Sequence, residues 1–151
     1  MPDNPTPILS SVSDANQPVA TLSVLIVDDD EALRYSMAIL LQRHGFAVDT
    51  VSDGQAALNH MEDHRVTLLI TDIFMPGRDG LELIVAVRKK KPRPILIAMS
   101  GGIAGHRAGI LDMANRLGAE FELLKPFDET TLLALVHKAS CKTDLAVAPA
   151  L

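Results

Sequence analysis

From residue 22 onward, short unbroken apolar runs alternate with segments in which apolar residues recur every three or four positions. The first run, 23–27, ends in three acids, Asp28, Asp29 and Asp30. Asp30 can cap a helix reaching about His44, with Leu33, Met37, Leu40 and Leu41 on one face and Gly45 as the stop. Residues 46–51 predict a second strand, and Asp53-Gly54 opens a helix carrying Ala57, Leu58 and Met61. Residues 66–71 form a third run, of the unbroken kind that a parallel sheet buries on both faces. Asp79 can cap a helix with Leu83, Ile84 and Val87 inward, closed by the basic run 88–91 before Pro92. A fourth strand falls at 95–99. A glycine-rich stretch follows, and the next helix is surest over 110–117, with a late start near Arg107. A fifth strand spans 120–124, and Asp128 caps a last helix through about Lys138. Five strands alternating with five helices predict an α/β domain: a doubly wound parallel sheet with right-handed crossovers.

The ends of the chain break this rhythm. Residues 1–21 hold four of the nine prolines among Ser, Asp and Asn, and predict a disordered Pro-rich tail. Residues 141–151 predict a second, shorter tail, leaving 22–140 as the folded domain. The aromatic share is 3% with no Trp, so the core is aliphatic and aromatic platforms for stacking bases are missing. A net charge of -5 argues against nucleic acid as a partner, because a phosphate backbone calls for a basic face. No run reaches the ~18 apolar residues of a membrane span, so no membrane partner is expected. One cysteine, Cys141, and no leader-like start point to a cytoplasmic protein.

In a doubly wound sheet, sites form where the strands end. Strand one exits into Asp28, Asp29 and Asp30, strand three into Asp72, strand four into Ser100 and strand five into Lys125-Pro126. If strands one and three are neighbours, Asp28, Asp29 and Asp72 repel one another unless a cation intervenes. A hard divalent ion such as Mg2+ suits oxygen ligands and keeps positions open for a phosphate oxygen. Ser100 and Lys125 can hold the remaining oxygens. This is a phosphoryl-transfer pocket with Asp72 as candidate nucleophile. Plainer readings exist for single residues. Asp30, Asp53, Asp79 and Asp128 are best read as helix caps. The basic run 88–91 is a helix end meeting solvent. His60 and His64 stand at i,i+4 with no third ligand evident in the sequence, and read as exposed helix residues.

The segments VLIVDDDEALR, DGQAAL, LLITDIFMPGRDGLELI, ILIAMSG and LGAEFELLKPF together resemble the receiver domain of two-component response regulators, over about residues 22–140. The resemblance implies a flavodoxin-like five-stranded sheet of order 2-1-3-4-5, an order for which a chemotaxis member of this family is a standing example. It implies that Asp72 accepts a phosphoryl group from a phosphohistidine on a sensor histidine kinase or a histidine phosphotransfer protein. Asp29, Asp72 and the backbone carbonyl of Phe74 would ligate Mg2+, with Asp28 reaching it through water. Ser100 would bond the phosphoryl group, Lys125 would pair with its charge, the Lys125-Pro126 bond would be cis, and Gly80 would permit a tight turn. The domain would then act as a switch rather than an enzyme, with chemistry limited to its own phosphorylation and dephosphorylation. Its output would pass through an altered protein-binding surface or a phosphorelay, as a single-domain regulator, with a homodimer through the helix-four face left open.

Some positions depart from the family pattern. Where an aromatic residue often stands three places before the lysine, this chain has Glu122, with Phe121 one place earlier, and alternation points Phe121 to the opposite face. Phe74, two after the acceptor, is bulky and apolar and is expected to shield the acyl phosphate from water. Gly102, within the glycine-rich stretch, is expected to modulate a mobile loop. Three other readings stay open: a degenerate receiver that binds partners without phosphorylation, a phosphohydrolase of the haloacid dehalogenase type, since Asp28-x-Asp30 follows an apolar strand, and a flavin-binding module on the same sheet order. The last is disfavoured because three acids after strand one would repel a flavin phosphate.

Overall fold

The computed structural model describes residues 22–75, 80–101 and 107–147. The expected cap Asp79, Gly102, the N-terminal tail and residues 148–151 lie outside the described residues. Elements run in the order β1 (Ser23–Val27), α1 (Glu31–Arg43), β2 (Ala47–Val51), α2 (Gly54–Asp63), β3 (Leu68–Asp72), α3 (Gly80–Arg88), β4 (Ile95–Ser100), α4 (Arg107–Leu117), β5 (Phe121–Leu124) and α5 (Glu129–Val147). The strands form one sheet of order β2-β1-β3-β4-β5, and every pairing is parallel.

Strand periodicity divides the core into two layers. Val24, Ile26, Leu68, Ile70, Ile97 and Met99 pack with Met37 and Leu41 of α1 and Leu132 and Val136 of α5. Their neighbours in sequence, Leu25, Val27, Leu69, Leu96 and Ala98, face the other way onto Ala57 of α2, Leu83, Ile84 and Val87 of α3 and Ala114 of α4. β3 is buried at every residue, as its unbroken apolar run requires of a strand covered on both sides.

Asp30 and Asp53 cap α1 and α2 as expected, accepting hydrogen bonds from the amides of Leu33 and Ala56 at 3.1 and 2.8 Å. Asp128 accepts one from Thr131 N at 2.8 Å. Gly45 ends α1 with φ 92°, a conformation that glycine adopts without strain.

Several boundaries differ from the sequence reading. β3 begins at Leu68 rather than Val66 and includes Asp72. Ahead of it, Thr67 is engaged by the start of β1: its hydroxyl accepts from Ser23 N at 2.8 Å and donates to Ser23 O at 3.1 Å. β2 starts one residue later than expected, and β4 runs one residue further, to Ser100, which pairs with Leu124. α5 continues to Val147, so the boundary expected at 140 falls inside a helix. Leu132, Val136 and Ala139 anchor the first half of this helix on the sheet. No described helix is long and apolar enough to cross a membrane.

Candidate functional site

The sheet order makes β1 and β3 neighbours, so their C-terminal ends deliver acids to one place. Asp28 follows β1 directly and is fully buried, while Asp72 closes β3 and is 6% exposed. Asp29 is exposed beside them. One carboxylate oxygen from each of Asp28, Asp29 and Asp72 lies within 4.8 Å of the other two.

Lys125 arrives from β5, two strands away from β3, by extending its side chain across the end of β4. Its backbone N–H donates to Ser100 O at 2.9 Å, which fixes where the side chain starts. Its ammonium then donates to Asp28 Oδ2 at 2.6 Å and to Asp72 Oδ2 at 2.8 Å. Gly101 leaves room for that reach, because a Cβ there would stand 2.9 Å from Lys125 Cβ and 3.3 Å from its Cδ. The Lys125-Pro126 bond is cis, as the resemblance implies, and a second cis bond, Lys91-Pro92, was not foreseen. Ser100 is fully buried at the end of β4.

The other oxygens of the two buried acids meet backbone amides. Asp28 Oδ1 accepts from Asp30 N at 2.8 Å, and Asp72 Oδ1 accepts from Phe74 N at 3.0 Å. Burial pushes the Asp72 carboxyl above its ordinary pKa, against the hydrogen bond and charge of Lys125, which pull it down. Burial also works against the Lys125 ammonium. The hydrogen bonds and charges of Asp28 and Asp72 outweigh that effect and hold its pKa above the ordinary value. Lys125 is therefore a cation at neutral pH.

Three carboxylates against one ammonium leave the cluster two negative charges in excess. Oxygen-only donors carrying that excess fit a hard divalent cation. The acidic cluster could hold such an ion, with Asp29 as the solvent-side ligand.

The tight turn expected of Gly80 involves residues 76–79, outside the described residues, and at Gly80 itself the backbone makes a close approach. Its N–H donates to Ile73 O at 3.0 Å, and a Cβ on it would lie 2.0 Å from Asp72 O and 2.7 Å from Ile73 Cα. It permits α3 to start against the backbone of the candidate acceptor. Phe74 is half exposed, its backbone tied to Asp72 and its ring open to solvent. Phe121 opens β5, two residues or about 7 Å along the strand short of the level of Asp72. There it packs against the α1/α5 layer, with Lys142 Nζ 5.5 Å from its ring centre. Glu122 is exposed. Neither residue bonds to the carboxylates, unlike Lys125.

Arg34 was missed from sequence. It donates from Nη1 to Asp28 O at 2.7 Å and ties the loop after β1 to the first turn of α1. The signal was available: long helical side chains lean toward the N-terminus, and Arg34 lies one turn after the cap Asp30.

The model of the response regulator receiver domain matches residues 24–137, and the chain belongs to that family. Among curated relatives, it is 36% identical over 118 residues to the transcriptional regulatory protein FixJ of Bradyrhizobium diazoefficiens, covering 77% of this chain and 55% of that protein. It is 32% identical over 114 residues to the transcriptional regulatory protein CpxR of Escherichia coli, covering 76% of this chain and 47% of that one. The chain thus spans about half the length of these curated relatives. Among solved structures, the chemotaxis protein CheY4 of Vibrio cholerae superposes with a TM-score of 0.72 at 29% identity, covering 80% of this chain and 99% of that one. Receiver membership sets aside the dehalogenase-type and flavin readings of the same acids.

Proposed function

We propose that this domain accepts a phosphoryl group on Asp72 from a phosphohistidine of a sensor histidine kinase or a histidine phosphotransfer protein. The observation that carries the reading is the meeting of Asp28, Asp72 and Lys125 at 2.6 and 2.8 Å, from residues 97 and 53 positions apart. An Asp72 oxygen attacks phosphorus, the bond from phosphorus to the histidine nitrogen breaks, and the imidazole leaves with the electron pair. Asp29, Asp72 and the Phe74 carbonyl, with Asp28 behind them, would hold Mg2+, which would supply charge neutralisation for the incoming phosphoryl oxygens. Lys125 exchanges its contact with Asp72 for one with the new phosphoryl group, and the Ser100 hydroxyl bonds another of its oxygens.

The switch follows from charge. Phosphorylation adds about −1.5 to −2 charges to one side chain. Lys125 and Ser100 end β5 and β4, so drawing them inward moves the loops leading into α5 and α4. The surface formed by α4, β5 and α5 then differs between the two states, and a protein partner or a second copy of the chain reads the difference. The signal decays when water attacks the acyl phosphate.

The test is incubation with acetyl phosphate and Mg2+, read by intact mass. The wild type gains one phosphoryl group and Asp72→Asn gains none. An equal gain in Asp72→Asn overturns the assignment, and no gain in the wild type favours a receiver that works without phosphorylation.

A further inference from the structure

Asp29, the solvent-side member of the aspartate cluster, is placed by its neighbours rather than by contacts of its own. Asp28 and Asp72 are each fixed at both carboxylate oxygens. Among the described residues, none bonds to the Asp29 carboxylate. The backbone groups that flank it are pinned instead. Asp30 N donates to Asp28 Oδ1 at 2.8 Å, and Arg34 Nη1 donates to Asp28 O at 2.7 Å. The Asp29 backbone is therefore fixed between a bond made by Asp28 and a bond made by Arg34.

We propose that Arg34 is a positioning residue for the metal site: it clamps the peptide group that leads into Asp29 and so sets where that carboxylate meets a cation. The inference rests on reading the aspartate cluster as a Mg2+ site. Three observations support it. First, the bond is short and charge-assisted, and it goes to a carbonyl. A guanidinium that served the cluster by neutralising charge would sit on a carboxylate, and no described carboxylate pairs with Arg34. Second, Arg34 Nε is enclosed with no hydrogen-bond partner among the described residues. An enclosed donor without an acceptor has lost its water for nothing, so the pose satisfies Asp28 O at the expense of the side chain's own donors. Third, both ends of the clamp are anchored. Arg34 N donates to Asp30 O at 3.0 Å in the turn that Asp30 caps through Leu33 N. Asp28 N donates to Val51 O at 3.3 Å, which ties the clamped residue to β2. A ligand supported from a helix and a strand is held more tightly than one on a free loop.

Position and charge predict opposite effects, which separates the two roles. Arg34 is a cation beside a site for a cation, so its charge alone weakens Mg2+ binding, and removing that charge strengthens it. Its clamp strengthens binding by ordering Asp29 in advance, and removing the clamp weakens it.

The test is isothermal titration of the full chain with MgCl2, without a phosphodonor. The wild type binds one Mg2+. Arg34→Met removes both charge and donors, and binds about tenfold more weakly, the lower end of what losing a group behind a metal ligand does. Arg34→Lys restores a cationic donor and recovers part of the loss. In labelling by acetyl phosphate, the Mg2+ concentration for half-maximal rate rises about tenfold in Arg34→Met, while the rate at saturating Mg2+ stays within about twofold of wild type. Thr67→Val is the control: it breaks two bonds to Ser23 at the opposite end of the sheet, lowers the urea midpoint and leaves Mg2+ affinity unchanged. The proposal is overturned if Arg34→Met binds Mg2+ as tightly as wild type or more tightly, if Arg34→Lys binds no better than Arg34→Met, if the labelling defect persists at saturating Mg2+, or if Thr67→Val weakens binding equally. A wild type that takes up no Mg2+ overturns the metal reading of the cluster itself, and this proposal with it.

Discussion

Replacing Gly80 with alanine tests whether close backbone contact, rather than a turn, explains the glycine. The new methyl would sit 2.0 Å from Asp72 O, whereas ordinary contact begins near 3.4 Å, so α3 and the end of β3 must separate by roughly 1.4 Å. Neither neighbour can yield by rotating a side chain, because Asp72 O and Ile73 Cα are both backbone atoms. Alanine favours a helix over glycine by about 1 kcal/mol. Overpacking of a rigid contact costs about 1–3 kcal/mol, so the clash wins and the variant is destabilised. The net loss is up to about 2 kcal/mol, which a urea slope of about 1–3 kcal/mol per molar turns into a midpoint lower by up to about 2 M. The displaced strand end also carries the Asp72 carboxylate, held by Lys125 at 2.8 Å and Phe74 N at 3.0 Å. Acetyl phosphate should therefore label Gly80→Ala more slowly than wild type at a urea concentration where both are folded. A urea midpoint at or above wild type would refute the argument.

Three further outcomes follow from the geometry. Asp53→Ala should cost about 0.5–1 kcal/mol at pH 7, the lower part of the capping range because the group is well solvated. The amide of Ala56 holds the Asp53 pKa below its ordinary value, so this stabilisation is complete above about pH 4 and is lost as pH falls through the lowered value. Urea midpoints measured across that range should converge for wild type and variant only at the acid end. Saturating Mg2+ should raise the melting temperature of the wild type, by about 2.7 kcal/mol of stabilisation at a hundred times the dissociation constant. Asp29→Asn should lose most of that rise, and an unchanged rise would remove Asp29 from the ligand set. Phe74→Asn should change the lifetime of the phosphorylated state after acetyl phosphate is removed, and a lifetime equal within error would show that the half-exposed ring does not screen the acyl phosphate.

Local patterns in the chain carried the strands and helices, the caps and the acids at the strand ends, while the sheet order came from the family resemblance. Asp30 and Asp53 are legible because a cap and its amide partners lie within three residues. The gathering of Asp28, Asp72 and Lys125 could be inferred because each leaves a strand, and strand ends share one side of a parallel sheet. Boundaries were harder, since partners distant in sequence decide them. Thr67 is drawn out of β3 by Ser23, 44 positions away. The close approach of Gly80 to Asp72 O was not legible, because the sequence does not show where α3 starts against β3. The same limit hid the contact between Asp49 and His60, since only the register of α2 against β2 unites them. The further reach of α5 escaped notice because the apolar spacing weakens beyond Ala139.

The span of Lys125 across the sheet has a consequence during synthesis. A chain emerging from the ribosome completes β1 and β3 well before β5, so its acids stand together for a time with no counter-cation of their own. In that interval the cluster lacks the ammonium that Lys125 brings to Asp28 and Asp72, and only the last strand delivers it, 97 and 53 positions further along the chain.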